Sequence, residues 1–359
     1  MLPRAMSTLS DFYAGKRVLL TGHTGFKGTW ASHWLSSMGA KVAGYALPPD
    51  TTPSLFELGR TAELVASTFG DVRDLKALSA VATEHQPEIV LHMAAQPLVR
   101  KSYREPIYTF ETNVMGTANV LEAVRALSSV RAIVIVTSDK CYENREQIEA
   151  YRETDAMGGH DPYSASKGAA ELVTAAYRRS FFEERGVGVA SARAGNVIGG
   201  GDWAEDRLIP DIVRGATRGD VIQIRNPRST RPWQHVLEPL SGYLLLAQRL
   251  FEDPQRFASG WNFGPNEDEE GVPAGEVAMR FVSALGRGEL QIATVDPNAP
   301  HEAKLLRLDS KKARSELGWQ PRLDLGGALA LTAGFYRAHL ERPGSERTTL
   351  DEQLLAYQS

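Results

Sequence analysis

Short apolar runs alternate with longer amphipathic stretches through the first 195 residues, and this alternation restricts the chain more than any other feature it has. Arg17 to Thr21, Lys41 to Tyr45, Glu88 to His92, Arg131 to Ser138 and Gly188 to Arg193 have the length and β-branched content of strands, with a weaker run near Leu64 to Phe69. Several are apolar on both faces, which predicts strands covered by helices on two sides. Between them, Thr29 to Met38 closed by Gly39, Asp74 to His85, Glu105 to Leu127 and Tyr163 to Arg185 predict helices. Five or more such alternations predict an α/β fold built on a doubly wound parallel sheet.

After about Asn196 the pattern changes. Glycines cluster in GNVIGGGDW, strand runs shorten, and Pro210, Pro227, Pro232, Pro239, Pro265 and Pro273 punctuate the chain. A second, smaller α+β lobe for substrate is expected over residues 196–359, with a segment near 232–265 returning to the first domain. The 359 residues accommodate two such units. No repeat is visible, which excludes a solenoid. Forty basic residues against 44 acidic ones give a net charge of −4, without a basic run suited to a nucleic-acid backbone. The single cysteine, Cys141, cannot form an internal disulfide, and no apolar run reaches the roughly 18 residues of a spanning helix. The opening MLPRAMSTLSDFY lacks a secretory apolar core, so a cytoplasmic protein away from membranes is expected.

The first run leads directly into GHTGFKG, with glycines at 22, 25 and 28 and a helix behind it. Gly22 permits a tight turn, Gly25 lets backbone N–H groups approach a pyrophosphate, and Gly28 lets the helix pack closely, which is a Rossmann-type dinucleotide turn. NAD is the expected cofactor. The second strand ends in GYALPP, so the acid that would grip a ribose is missing, and discrimination against NADP stays open; Asp50 further on reads as a solvated loop carboxylate. His23 and Lys27 either place positive charge near the pyrophosphate or are simply solvated. Asp71 in GDVRD either contacts the adenine or belongs to a helix cap.

Tyr163 and Lys167 in DPYSASKG stand four residues apart, hence on one helical face, where an ammonium beneath a phenol draws its pKa down from about 10 and makes it a base at neutral pH. Ser138 and Asp139 stand at the end of a strand run, in VTSDK, and Asn113 lies in NVMGT. Cys141 has no paired base and reads as a buried thiol. The eight histidines show no metal-ligand spacing, so no metal is expected.

With the glycine turn, Asn113, Ser138, Tyr163 and Lys167, the chain resembles the extended short-chain dehydrogenase/reductase family over nearly its whole length. HMAAQ at His92 to Gln96, RAGNVIGGGDW, RLIPDIV and RPWQHV are similar to the nucleotide-sugar 4,6-dehydratases within it, and TGHTGFKG, TSDKCY and GGGDWAEDRLIP resemble the branch acting on CDP-glucose. The resemblance implies NAD contacts from Gly22, His23, Gly25, Phe26, Lys27, Gly28, Asp71, Val72, Ala94, Ala95, Asn113, Tyr163 and Lys167. It implies that Tyr163 takes the proton of the sugar 4-hydroxyl beside Ser138, that the resulting ketone acidifies carbon 5, and that water leaves across carbons 5 and 6. Asp139 aligns with the family acid. Lys140 replaces the glutamate that relatives carry, and is either a neutral base or a cation stabilising the enolate; Asp139 and Lys140 could otherwise be an exposed ion pair.

For the nucleoside diphosphate the resemblance points to Arg231 in RPW, Arg207, Asn196 and Gln96, with His301 and Arg307 closing the pocket. Arg193 is a further candidate, and these arginines alternatively form interface ion pairs. The cytidine base is implied by the resemblance alone. A homodimer through the helices at 105–127 and 163–185 is likewise implied. The rival functions are a nucleotide-sugar 4-epimerase, which needs no acid and base for elimination, and a non-catalytic dinucleotide sensor, which would have lost Tyr163 and Lys167.

Overall fold

The computed structural model describes residues 8–266, 271–292 and 305–359. Seven strands form one parallel sheet: β1 (Arg17–Thr21), β2 (Lys41–Ala46), β3 (Ala66–Phe69), β4 (Ile89–His92), β5 (Ala132–Val136), β6 (Gly188–Ala194) and β7 (Gly260–Phe263), in the order β7-β6-β5-β4-β1-β2-β3. The order reverses at β1, so the carboxyl edge of β1 and β4 opens a crevice.

Side chains along the central strands divide between two cores. Val18, Leu20, Ile89, Leu91, Ala132 and Val134 pack on one face with Trp30 and Trp34, whereas Leu19, Val90, Ile133 and Ile135 pack on the other with Leu78, Val120 and Val124. This is why the runs read as apolar at every position. Helices α1 (Phe26–Ser37) and α5 (Leu237–Glu252) cover the first face; α2 (Leu75–His85), α3 (Gly116–Arg125) and α4 (Pro162–Tyr177) cover the second.

Two helices differ from the sequence expectation. The stretch expected over 105–127 starts at Pro106 and contains a π-helical turn, Glu111–Met115, and the one expected over 163–185 ends in another, Arg178–Phe182. The strand missing from that reading is β7, which pairs with β6 in the register Gly260↔Ser191 to Phe263↔Ala194. Its run GWNF is too short and glycine-led to stand out, and it is the neighbouring strand that makes it one. Beyond the sheet, Val197–Ile198 pairs with Gln234–His235, Thr230–Arg231 with Val272–Pro273, and Val221–Ile224 with Glu289–Ile292. Among the described residues no helix is long and apolar enough to cross a membrane.

Candidate active site

Gly22 sits at φ +79°, and a Cβ there would lie 2.7 Å from the Ala94 backbone nitrogen. A Cβ on Gly28 would lie 2.0 Å from the Gly22 carbonyl oxygen, so only glycine lets α1 rise this close behind the turn. Gly25 is the N-cap of α1 and contributes no side-chain cap, which leaves the first-turn N–H groups to a ligand anion. The cradle therefore fits a dinucleotide pyrophosphate. It forms one end of a cleft of ≈ 680 Å³, whose wall continues through Asp71, Val72, Ala94, Ala95 and Gln96.

Not every residue of this end faces the cleft. His23 is fully buried, with Nε2 2.7 Å from Ser67 Oγ, and burial pushes it down to about 4. It is neutral and brings no charge to a pyrophosphate, so both earlier readings of its side chain are replaced. Lys27 does line the cleft; burial first, then Arg207 and Lys167, push it down to about 7, so it is not a solvated lysine. Asn113 lies in the π-helical turn behind the wall. Its Oδ1 accepts from the Gln96 N–H at 2.8 Å, and its Nδ2 donates to Gln96 O at 3.1 Å and Ser166 Oγ at 2.8 Å, so it holds the wall instead of facing the cofactor. Gln96 Nε2 is taken by Thr109 and Leu98. Asp71 is gripped by Arg73, whose Nη2 lies 2.7 Å away and holds the carboxyl below its usual range, while the helix cap is Asp74.

The chemistry gathers at the end of β5. Asp161 caps α4 by accepting from Ser164 N at 3.0 Å, Pro162 takes the first helical position, and this phase turns Tyr163 and Lys167 toward the cleft. Lys167 is 6% exposed and donates from Nζ to Val136 O at 3.3 Å. Burial pushes Lys167 down to about 8 and pushes the Tyr163 phenol up to about 12, against the pull of Ser138 and Arg207. The lowered phenol expected from spacing is not found: burial sets the direction of the shift.

Ser138 donates to Asp139 Oδ1 at 2.8 Å. Asp139 is 2% exposed and its Oδ2 has no partner among the described residues; burial raises the carboxyl above its usual range, against Lys140, Ser138 and Arg231. An exposed ion pair with Lys140 is thereby ruled out. Lys140 is half-buried and lines the cleft. Cys141 is fully buried with its thiol pushed up.

Asn196, Arg207 and Arg231 line the same cleft, with Arg207 Nη1 2.8 Å from Asp202 Oδ2. Arg193 does not: it is paired with Glu171 at 2.7 Å inside the protein. Arg307 packs against Gly271 off the cleft, and His301 lies outside the described residues. Asp202 and Trp203 of GGGDW and Leu47–Pro48 just after β2 line the cleft although their residue types gave them no role, and Asp50 joins them. The GGGDW motif was the available signal. Among the described residues no group of three or more His, Cys, Asp or Glu could hold a metal.

Comparisons with known proteins agree with this geometry. The profile of the family described as GDP-mannose 4,6 dehydratase matches residues 19–330. A CDP-glucose 4,6-dehydratase of Salmonella typhimurium is 53% identical over 333 residues, covering 91% of this chain and 92% of its own. The crystal structure of a dTDP-glucose 4,6-dehydratase from Bacillus anthracis with NAD superposes with a TM-score of 0.76 at 21% identity, covering 91% and 98% of the two chains. A UDP-glucose 4-epimerase of Stenotrophomonas maltophila with bound NAD superposes at 0.78 with 25% identity, covering 91% and 99%.

Proposed function

We infer the activity from a premise the comparisons establish: the chain belongs to the GDP-mannose 4,6-dehydratase family, and within it acts as an NAD-dependent hydro-lyase on a nucleotide sugar. The reaction is conversion of CDP-glucose to CDP-4-keto-6-deoxyglucose and water. The observation that carries it, beside 53% identity to a CDP-glucose 4,6-dehydratase, is a buried acid, Asp139, next to the Ser138, Tyr163 and Lys167 group. An epimerase needs the latter group alone.

NAD, when bound, supplies a hydride acceptor that later returns the hydride, and a positive ring that favours an ionised phenol beside it. The Gly22–Gly28 turn and the open N-terminus of α1 hold its pyrophosphate. Tyr163 takes the proton from the 4-hydroxyl, with Ser138 bonding the same oxygen and Lys167 stabilising the phenolate. The 4-ketone acidifies carbon 5. Asp139, whose burial raises the carboxyl above its usual range and so favours the protonated form, donates to the departing 6-hydroxyl, and Lys140, on the cleft beside it, serves the carbon-5 proton or the enolate it leaves. Arg207, Arg231 and Asn196 bind the diphosphate in the same cleft, where a planar guanidinium can bond two oxygens.

A homodimer is part of this reading. Ile107 and Met115 near α3, and Leu172 on α4, are 69%, 55% and 63% exposed, an apolar face on the two helical segments through which the family resemblance implies pairing. A cytoplasmic location completes it. Incubating the protein with CDP-, UDP- and dTDP-glucose and following mass tests the function: loss of one water from CDP-glucose is the expected result, whereas isomerisation at unchanged mass means an epimerase, and no change in any sugar with NAD bound means a sensor.

A further inference from the structure

Helix α4 carries a third ionisable group in phase with the first two: Tyr163, Lys167 and Glu171 follow one another at four-residue intervals and share a face. Glu171 does not reach the cleft. Thr137 Oγ1 and Ser191 Oγ each donate to its carboxylate at 2.5 Å, and Arg193 Nε and Nη2 donate at 2.9 and 2.7 Å. Arg193 extends away from Lys167, donating from Nη1 to Tyr142 Oη at 2.7 Å, and Tyr142 donates to Asn262 Oδ1 at 2.7 Å.

Stitching α4 to β6 would not by itself need charges. A buried ion pair is often no more stabilising than well-packed apolar side chains of the same volume. This pair is also lopsided with respect to the reaction centre, because its negative end lies one helical turn from Lys167 and its positive end lies beyond. We propose that Glu171 is a positioning residue for the oxidation step: its carboxylate, aimed by Arg193, Thr137 and Ser191, keeps Lys167 charged beneath Tyr163.

The surroundings of Lys167 support this role. Its ammonium is buried and, among the described residues, has one hydrogen bond, to the Val136 carbonyl. On its own helix it faces Tyr163 and Glu171. From β4 it faces His92, which is pushed down to about 3 by burial and so is neutral. After β5 comes Cys141, whose thiol burial keeps protonated. From α1 comes Lys27, another cation when charged. Glu171 is the ionised anion among them, held below the usual carboxylate range by Arg193, Ser191 and Thr137 in spite of burial. It is also the strongest influence opposing the burial that pushes Lys167 down to about 8.

The inference rests on Tyr163 being the base, so the test includes that residue separately. Single-turnover oxidation of CDP-glucose is followed by nicotinamide absorbance across pH in the NAD-loaded protein, together with thermal melting. Glu171→Gln leaves Arg193 buried and unpaired; it should melt earlier and move half-maximal oxidation to higher pH by about one unit, a roughly tenfold loss on the acid side. The double variant Glu171→Gln/Arg193→Met leaves no unpaired guanidinium, so it should recover most of the melting temperature and keep the shifted profile. Glu171→Asp retains the charge; it should melt earlier and keep the wild-type midpoint, which decides the matter if the double variant does not fold. A double variant with restored melting and a wild-type profile, or an Asp variant shifted as far as Gln, overturns the proposal. Oxidation that survives Tyr163→Phe overturns the underlying assignment instead.

Discussion

The two walls of the cleft are built on opposite principles. On the sheet side, Ser138, Asp139, Tyr163 and Lys167 are all less than a tenth exposed and stand after β5 or on α4. After β6, Asn196 and Arg207 stand on short pairings and loops; Arg207, about a third exposed, keeps its charge by pairing with Asp202, whereas Arg231 is buried. Burial shifts protonation on the first wall, as Lys167, Tyr163 and Asp139 illustrate, while Arg207 offers fixed charge that solvent can still screen. Chemistry is thus assigned to the dry wall and recognition in part to a wetter one.

The most severe way to break that division is Tyr163→Phe, which should reduce carbon-4 oxidation about a thousandfold or more while CDP-glucose still binds, as single-turnover absorbance and equilibrium dialysis would report. Lys140→Ala should slow water loss on the order of a hundredfold and leave oxidation detectable, so that reduced nicotinamide accumulates. Normal turnover by that variant removes Lys140 from the elimination. Arg207→Ala should raise KM roughly tenfold to a hundredfold with a smaller fall in kcat, because a charge-assisted bond to the diphosphate is made equally in ground and transition states while Arg207 also draws on the Tyr163 phenol. An equal fall in kcat would place Arg207 in the chemistry and erase the contrast.

The smallest effect concerns stability. Asp139 binds its proton more tightly folded than unfolded, so the native protein carries the extra proton above the ordinary carboxylate range and loses stability as pH rises through that window. Asp139→Asn escapes this loss. Its melting temperature relative to wild type should climb by roughly a few degrees between acid and neutral pH, and a constant difference would mean that Asp139 is ionised in place.

Much of this could be read from residue order. The strand runs, the glycine turn and the four-residue step from Tyr163 to Lys167 all depend on local geometry, which neighbouring residues impose directly. Even Glu171 was within reach, since YSASKGAAE displays its spacing. His23 and Asn113 were misread for a common reason: each is a polar residue in a functional motif, and only the packing around it sends His23 to Ser67 and Asn113 to Gln96; for Arg193 the ion-pair alternative is the one found, with Glu171 as partner.

Sequence alone therefore determined the alternating α/β architecture, the dinucleotide turn and the placement of phenol and amine on one helical face, because periodicity and backbone sterics act over a few residues. Tertiary structure decided which polar groups meet water. That choice sets the protonation of Lys167, Tyr163 and Asp139, the addition of β7 to the sheet, and the burial of the Glu171–Arg193 pair, since desolvation and strand pairing depend on residues distant in the chain.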